Sequence, residues 1–151
     1  MEKKILVLFH TLGGNTEAAA TLVADGVRSV AGVSAVLKKA QEADADDLRG
    51  CAGYCFGTPD YFSYMAGMLK DFFDRTYYPT QGELDSRPCG LFVTHGGGGR
   101  AQAGLEQICR SFRLKQLGAT VLVRGKPSGA AEGQLRALGA EVAKAVVPGG
   151  A

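Results

Sequence analysis

The chain has 151 residues, enough for one domain over residues 1–151 that buries roughly 70% of its unfolded surface. Hydrophobic residues make up 46% and charged residues 21%, and 17 Lys+Arg against 15 Asp+Glu leave a formal charge of +2, too small for a nucleic-acid footprint. No apolar run approaches the ~18 residues of a membrane span, and MEKKILVLFH lacks a signal-peptide cleavage pattern, so no membrane insertion is expected.

The first apolar run, Ile5–Phe9, reads as a strand that breaks into HTLGGNTE. A glycine-bearing, hydroxyl-rich turn without lysine or arginine then enters a helical pattern whose stripe is Ala19, Val23, Gly26, Val27 and Val30. A helix N-terminus carries about half a positive charge and several unpaired N–H groups, so such a turn can cradle an anion without a cation. The hydroxyls of Thr11 and Thr16 and the amide of Asn15 can add bonds. The other reading is a plain strand-to-helix turn capped by Asn15 or Thr16.

Val33–Leu37 alternates polar and apolar letters, as an edge strand does. EADADDLRG leaves room for two helical turns at most. A third strand, Ala52–Phe56, leads into GTPDYFSYMAGMLKDFFDR, residues 57–75. Pro59 fixes the backbone as it leaves the sheet. Tyr61 and Phe62 then either cover a flat ring or pack beneath their own loop. Met65, Leu69, Phe72 and Phe73 form the next helical stripe, and FFDRTYYPTQG after it reads as an interface or a covered loop.

The fourth strand, Leu91–Thr94, opens into VTHGGGGRAQ, residues 93–102. Consecutive glycines there either let main chain run beside a ligand or make a loose surface hairpin. Leu105, Ile108, Cys109 and Phe112 continue as a helix. Thr120–Val123 is the fifth strand, and Leu135, Leu138, Val142 and Val146 mark the last helix before a fraying VPGGA tail. Runs one, three, four and five are apolar on successive residues, as strands covered on both faces are.

Cys51, Cys55, Cys89 and Cys109 show no zinc-type pairing and no metal site is expected; Cys51 and Cys55 are expected on one face of a strand. Buried free thiols fit a reducing cytoplasm. Strand–helix alternation five times over gives a parallel α/β sheet with right-handed crossovers. Ligands of such sheets bind beyond the carboxyl ends of the strands, which selects the loops after strands one, three and four. The first loop is neither a Walker loop nor G-x-G-x-x-G. It also lacks the cysteine of a phosphatase loop and the acidic residues of a receiver domain.

Together the three loops resemble flavodoxin-like FMN proteins. TLGGNTE is similar to the flavodoxin phosphate loop S/T-x-T-G-N-T, with Gly13 in place of the middle threonine. GTPDYFSYMAGMLKDFFDR resembles the G-[ST]-P-T-x-F-G-N-M-x-G-x-[LM]-K-x-F-x-D segment of WrbA-type NAD(P)H:quinone reductases and their short relatives. VTHGGGG stands where that group has its threonine- and glycine-rich ring-binding loop.

The resemblance covers Lys4 to about Val146 and implies a flavodoxin-like three-layer sandwich. Its five-stranded parallel sheet would have order 2-1-3-4-5, with helices on both faces. By the same resemblance Thr11, Leu12, Gly13, Gly14, Asn15 and Thr16 hold the FMN phosphate. Thr58, Pro59, Asp60, Tyr61 and Phe62 supply one wall of the flavin site, and Thr94, His95, Gly96, Gly97 and Gly98 line the pyrimidine edge.

Ser63 and Tyr64 replace the usual glycine and asparagine, and Tyr64 either lies over the ring or turns outward. The long inserts with which full-length WrbA-type reductases build a tetramer and complete each site are missing. Oligomeric state therefore stays open, a dimer included.

Electron-carrying flavodoxins are strongly acidic and place a glycine beside the flavin-flanking aromatic, where a peptide flip stabilises the one-electron-reduced cofactor. This chain has charge +2, and PDYFSY holds no glycine. Both features favour a two-electron NAD(P)H-dependent oxidoreductase passing electrons to a quinone-like acceptor. Tyr61 and His95 are its candidate catalytic residues, steadying the acceptor oxygen or the reduced ring. Arg100 either meets an NADPH phosphate or is solvated. The alternatives are a non-enzymatic flavodoxin serving a redox protein partner, and a retained fold that binds some other phosphate-bearing ligand.

Overall fold

A computed structural model describes residues 2–149. The strands are β1 (Lys3–Phe9), β2 (Val33–Lys39), β3 (Gly53–Tyr61), β4 (Tyr64–Met65), β5 (Pro88–His95), β6 (Lys115–Gln116) and β7 (Val121–Arg124). The helices are α1 (Asn15–Arg28), α2 (Ala45–Gly50), α3 (Gly67–Thr80), α4 (Ala101–Ser111) and α5 (Ala130–Ala145), with a 3-10 turn at Ala40–Glu42.

β2, β1, β3 and β5 lie side by side and parallel. β6 pairs with Pro88 and Cys89, and β7 with Phe92–His95, so they are two halves of one interrupted fifth strand. The expected order 2-1-3-4-5 is thus present, with its last member broken. The break is tied to α4: Gln116 donates to the Thr120 hydroxyl (3.2 Å), which donates to the Glu106 carboxylate (2.6 Å). This bond holds the Glu106 carboxyl below its ordinary pKa. β7 is an edge that leaves Leu122 exposed, against the expectation that both faces of the fifth run are covered.

Alternation along the strands builds two cores. Leu6, Leu8, Tyr54, Phe56, Leu91 and Val93 meet α2, α3 and α4 on one face. Ile5, Val7, Phe9, Cys55, Phe92 and Val123 meet α1 and α5 on the other. Each such side chain contributes about 1.5–3 kcal/mol when fully buried. α1 and α5 approach so closely that a Cβ at Gly26 or Gly139 would collide with the carbonyl of Arg136 or Val23.

α2 is as short as expected, and the Asp44 side chain caps it by accepting from the N–H groups of Asp46 and Asp47. FFDRTYYPTQG lies in the second half of α3 and the turn after it. There Tyr77 packs on Phe112 (5.2 Å between ring centroids), whereas Tyr78 is exposed.

Three local expectations are corrected. Met65 is not the start of a helical stripe: it belongs to β4, which folds back antiparallel on β3 and pairs with Asp60. Val30 lies just beyond α1, half-buried against the α1–α5 core. Cys51 and Cys55 do not share a face, because Cys51 closes α2 before the strand begins. All four cysteines are free and buried. Burial pushes the Cys51 thiol up to about 11.

Candidate functional site

The loops after β1, β3 and β5 enclose a cleft of about 250 Å³. It brings together Thr11, Leu12, Gly13, Asn15 and Thr16 with Pro59, Asp60 and Tyr61 and with Thr94, His95 and Gly96. Among the described residues no lysine or arginine lines it.

In the first loop, the Thr11 hydroxyl accepts the N–H of Gly14 (2.9 Å) and folds the turn back on itself. Gly14 precedes α1 with φ of 99°, and no side chain caps the helix. The capping role open to Asn15 or Thr16 is therefore not taken. Helical geometry leaves the first N–H groups of α1 without carbonyl partners. Thr16 is buried, and its hydroxyl lies 2.7 Å from that of Thr94, joining the first loop to the third.

In the second loop, Thr58 is buried and is not among the residues that line the cleft. Its hydroxyl donates to the carbonyl of Pro59 (2.7 Å) and accepts the N–H of Ala66 (2.9 Å), which clasps the β3–β4 hairpin. Asp60 accepts the N–H of Arg100 on Oδ2 (2.7 Å) and so ties the hairpin to the glycine loop. Tyr61 lines the cleft, with its ring edge-on to His10 at 6.1 Å between centroids.

Phe62, expected in the same wall, is not among the residues that line the cleft and is 102% exposed. The reason is the turn. Phe62 and Ser63 are the two residues between the paired Tyr61 and Tyr64, and both have positive φ, 56° and 64°. A two-residue hairpin with this twist normally recruits Asn-Gly. Tyr64 rests against Gly104 of α4 rather than over the cleft.

In the third loop, Thr94, His95 and Gly96 line the cleft, while Gly14, Gly97 and Gly98 are outside its lining. Arg100 is exposed at the start of α4. Two residues escaped the sequence reading. Gly125 lines the cleft from the loop after β7, and its N–H donates to the His95 carbonyl (2.9 Å). His10, which follows β1 directly, is buried, and burial lowers its pKa. A histidine at the end of a buried strand was the available signal.

Three buried side-chain atoms have no hydrogen-bond partner among the described residues: His10 Nδ1, Asp60 Oδ1 and His95 Nδ1. All three belong to residues of these loops or abut them. Leaving a buried polar atom unpaired costs about 1–3 kcal/mol. Two of the three, on Asp60 and His95, belong to residues that line the cleft. Among the described residues no group of His, Cys, Asp and Glu could hold a metal ion, and no helix is long and apolar enough to cross a membrane.

A family model described as NADPH-dependent FMN reductase matches residues 29–128, which include the second and third loops but not the first. The chain is 34% identical over 122 residues to a flavodoxin of Aquifex aeolicus (strain VF5), covering 81% of this chain and 64% of that one. It is also 34% identical over 119 residues to an NAD(P)H dehydrogenase (quinone) of Acidithiobacillus ferrooxidans, covering 62% and 60%. The aligned stretch thus spans less than two thirds of either relative. Among solved structures, a flavodoxin from the domain Archaea superposes with TM-score 0.86 at 20% identity, over 95% of this chain and 98% of that one. A WrbA-like flavodoxin from Agrobacterium tumefaciens does so with TM-score 0.78 at 19% identity, over 95% and 97%. The fold is flavodoxin-like.

Proposed function

Because this chain belongs to the NADPH-dependent FMN reductase family, we propose that it is an oxidoreductase carrying two electrons from NAD(P)H to a quinone-like acceptor. FMN is its cofactor, as it is for flavodoxins and FMN reductases. When bound, FMN supplies the redox chemistry, and the protein binds, orients and shields.

The cleft suits this cofactor on its own chemistry. The uncapped N-terminus of α1 suits a phosphate monoester, because aligned N–H groups favour negative charge without a lysine. The Thr11 turn, with Asn15 beside it, would wrap that group. The Thr16–Thr94 bond would hold phosphate loop and ring loop in fixed register. Pro59 and Tyr61 would bound the ring on one side and Gly96 and Gly125 on the other, where main chain can come close. Asp60 Oδ1 and His95 Nδ1 offer unpaired polar contacts to the ring or to an acceptor's oxygen. Tyr61 and His95 remain the candidates for steadying that oxygen.

The observation that favours two-electron work is the turn at Phe62 and Ser63. Flipping the peptide between them would carry Phe62 to roughly φ +60°, ψ −120°, a region for glycine alone. This chain's hairpin therefore resists the flip on which one-electron carriers depend.

A second reading is an electron-carrying flavodoxin that serves a protein partner, favoured by the relative of that name. Photoreduction of the FMN-loaded protein, followed by absorbance, separates the two. The reductase reading expects conversion in one stage with a constant isosbestic point, and a long-wavelength one-electron form in high yield would support the carrier.

A further inference from the structure

We propose that Asp60 sets the reduction potential of the bound flavin by holding a fixed negative charge beside the ring, and so keeps the reduced cofactor ready to give up its electrons. The inference rests on the FMN assignment and concerns what this chain's own carboxylate adds to it.

Three observations carry it. First, Asp60 lines the cleft from the β3–β4 hairpin, an element distinct from the Thr11–Thr16 turn that leads into α1. Second, its two oxygens are differently employed. Oδ2 accepts the Arg100 N–H at 2.7 Å, which fixes the carboxylate between hairpin and glycine loop. Oδ1 is buried and has no partner among the described residues. Third, no cation neutralises it: Asp60 makes no ion pair among the described residues, and Arg100 reaches it only through the main chain.

A carboxylate oxygen accepts hydrogen bonds and cannot donate them. Leaving it buried and unpaired is costly, so the site is complete only when a ligand N–H reaches it. An isoalloxazine edge carries such an N–H. The same carboxylate also acts on ring charge. Transfer of hydride from the dihydronicotinamide leaves NAD(P)+ and adds two electrons and one proton to the ring, a net gain of one negative charge. Passing two electrons and that proton to a quinone, which takes a second proton from solvent, removes it. A negative group held nearby disfavours the charged, reduced ring relative to the oxidised one. A serine or threonine at this position could keep a polar contact but would bring no charge.

The test uses Asp60→Asn, which retains an acceptor for Arg100 and removes the charge, Asp60→Ser as a second neutral variant, and Asp60→Glu as the charge-keeping control. Each is loaded with FMN, its affinity for oxidised FMN is measured by fluorescence quenching, and its two-electron midpoint potential by spectroelectrochemistry at constant pH. The expected result is a more positive potential in both neutral variants and a value near wild type in the glutamate variant. The shift should correspond to roughly a tenfold gain in reduced over oxidised binding, about 30 mV for a two-electron couple.

An unchanged or more negative potential in Asp60→Asn overturns the proposal. So does an equal shift in all three variants, which would make the effect one of packing. Loss of FMN from all three while wild type retains it would also overturn it, because Asp60 would then be a structural strap. A wild-type protein that binds no FMN overturns the cofactor assignment instead, and shows itself before any variant is compared.

Discussion

The hydroxyls of Thr16, in the first turn of α1, and Thr94, near the end of β5, lie 2.7 Å apart inside the protein. Seventy-eight residues separate them along the chain. Their bond joins the turn that faces a phosphate to the loop that faces a ring. Either hydroxyl, left alone, would be a buried polar group without this partner.

Thr16→Val and Thr94→Val should therefore each destabilise the protein by about 1–3 kcal/mol. The double variant should cost clearly less than the sum, because it leaves no orphan behind. Urea denaturation of the four species measures this. Additive losses would mean that the two hydroxyls do not depend on one another.

The uncapped start of α1 makes a second prediction. Gly14→Asp places a carboxylate where the phosphate monoester is expected, at a φ that aspartate tolerates better than most residues. Affinity for FMN should fall on the order of a hundredfold through like-charge repulsion. Riboflavin, which has no phosphate, should bind nearly as before. Fluorescence titration with both ligands gives the comparison, and equal losses would place the phosphate elsewhere.

The hairpin turn provides a third. Phe62 is fully exposed, so its removal sacrifices no packing, and its positive φ is a strain that glycine relieves. Phe62→Gly should leave stability unchanged or raise it by up to about 1 kcal/mol. It should also free the peptide to flip, so that photoreduction passes through a one-electron form that wild type does not accumulate. A variant identical to wild type in photoreduction would detach the turn from the electron count.

His10 gives a dependence on pH. Burial lowers its pKa in the folded protein, whereas the unfolded chain takes up its proton near the ordinary value of ~6.5. Below that pH the unfolded state binds more protons than the folded one, so stability rises with pH through this range. It should be fully present above ~6.5 and be lost as pH falls toward the depressed folded value. His10→Gln should flatten this segment of the stability profile. A wild-type profile without any decline below ~6.5 would contradict the burial argument.

Much of this architecture is legible in the residues. Successive apolar letters over Ile5–Phe9 and Leu91–Thr94 mark central strands because both faces of those strands are covered. The stripe at Leu135, Leu138 and Val142 marks α5 because one helical face meets the sheet. The three loops stand out because ligands of parallel sheets bind beyond the carboxyl ends of the strands, and the cleft gathers residues from all three.

What escaped has local causes. The β3–β4 hairpin was hidden because its turn is Phe-Ser, which carries none of the usual signal for two positive φ values. Without that signal nothing in the sequence marks Met65 as the strand residue that pairs with Asp60, or Phe62 as exposed. The residues that hold loops together were equally silent. Thr58 reads like a ligand contact but spends its hydroxyl on Pro59 and Ala66, and Asp60 gains its meaning only through the N–H of Arg100, forty residues away. Gly125 comes from a loop with no distinctive pattern, brought in by the register of β7 against His95.

Two-electron traffic from a nicotinamide to a quinone is tested most directly by steady-state oxidation of NADH and NADPH by the FMN-loaded protein, with benzoquinone as acceptor. The prediction is turnover that needs both FMN and quinone and consumes one NAD(P)H per quinone reduced. A correctly folded, FMN-saturated protein that oxidises neither nucleotide would contradict it.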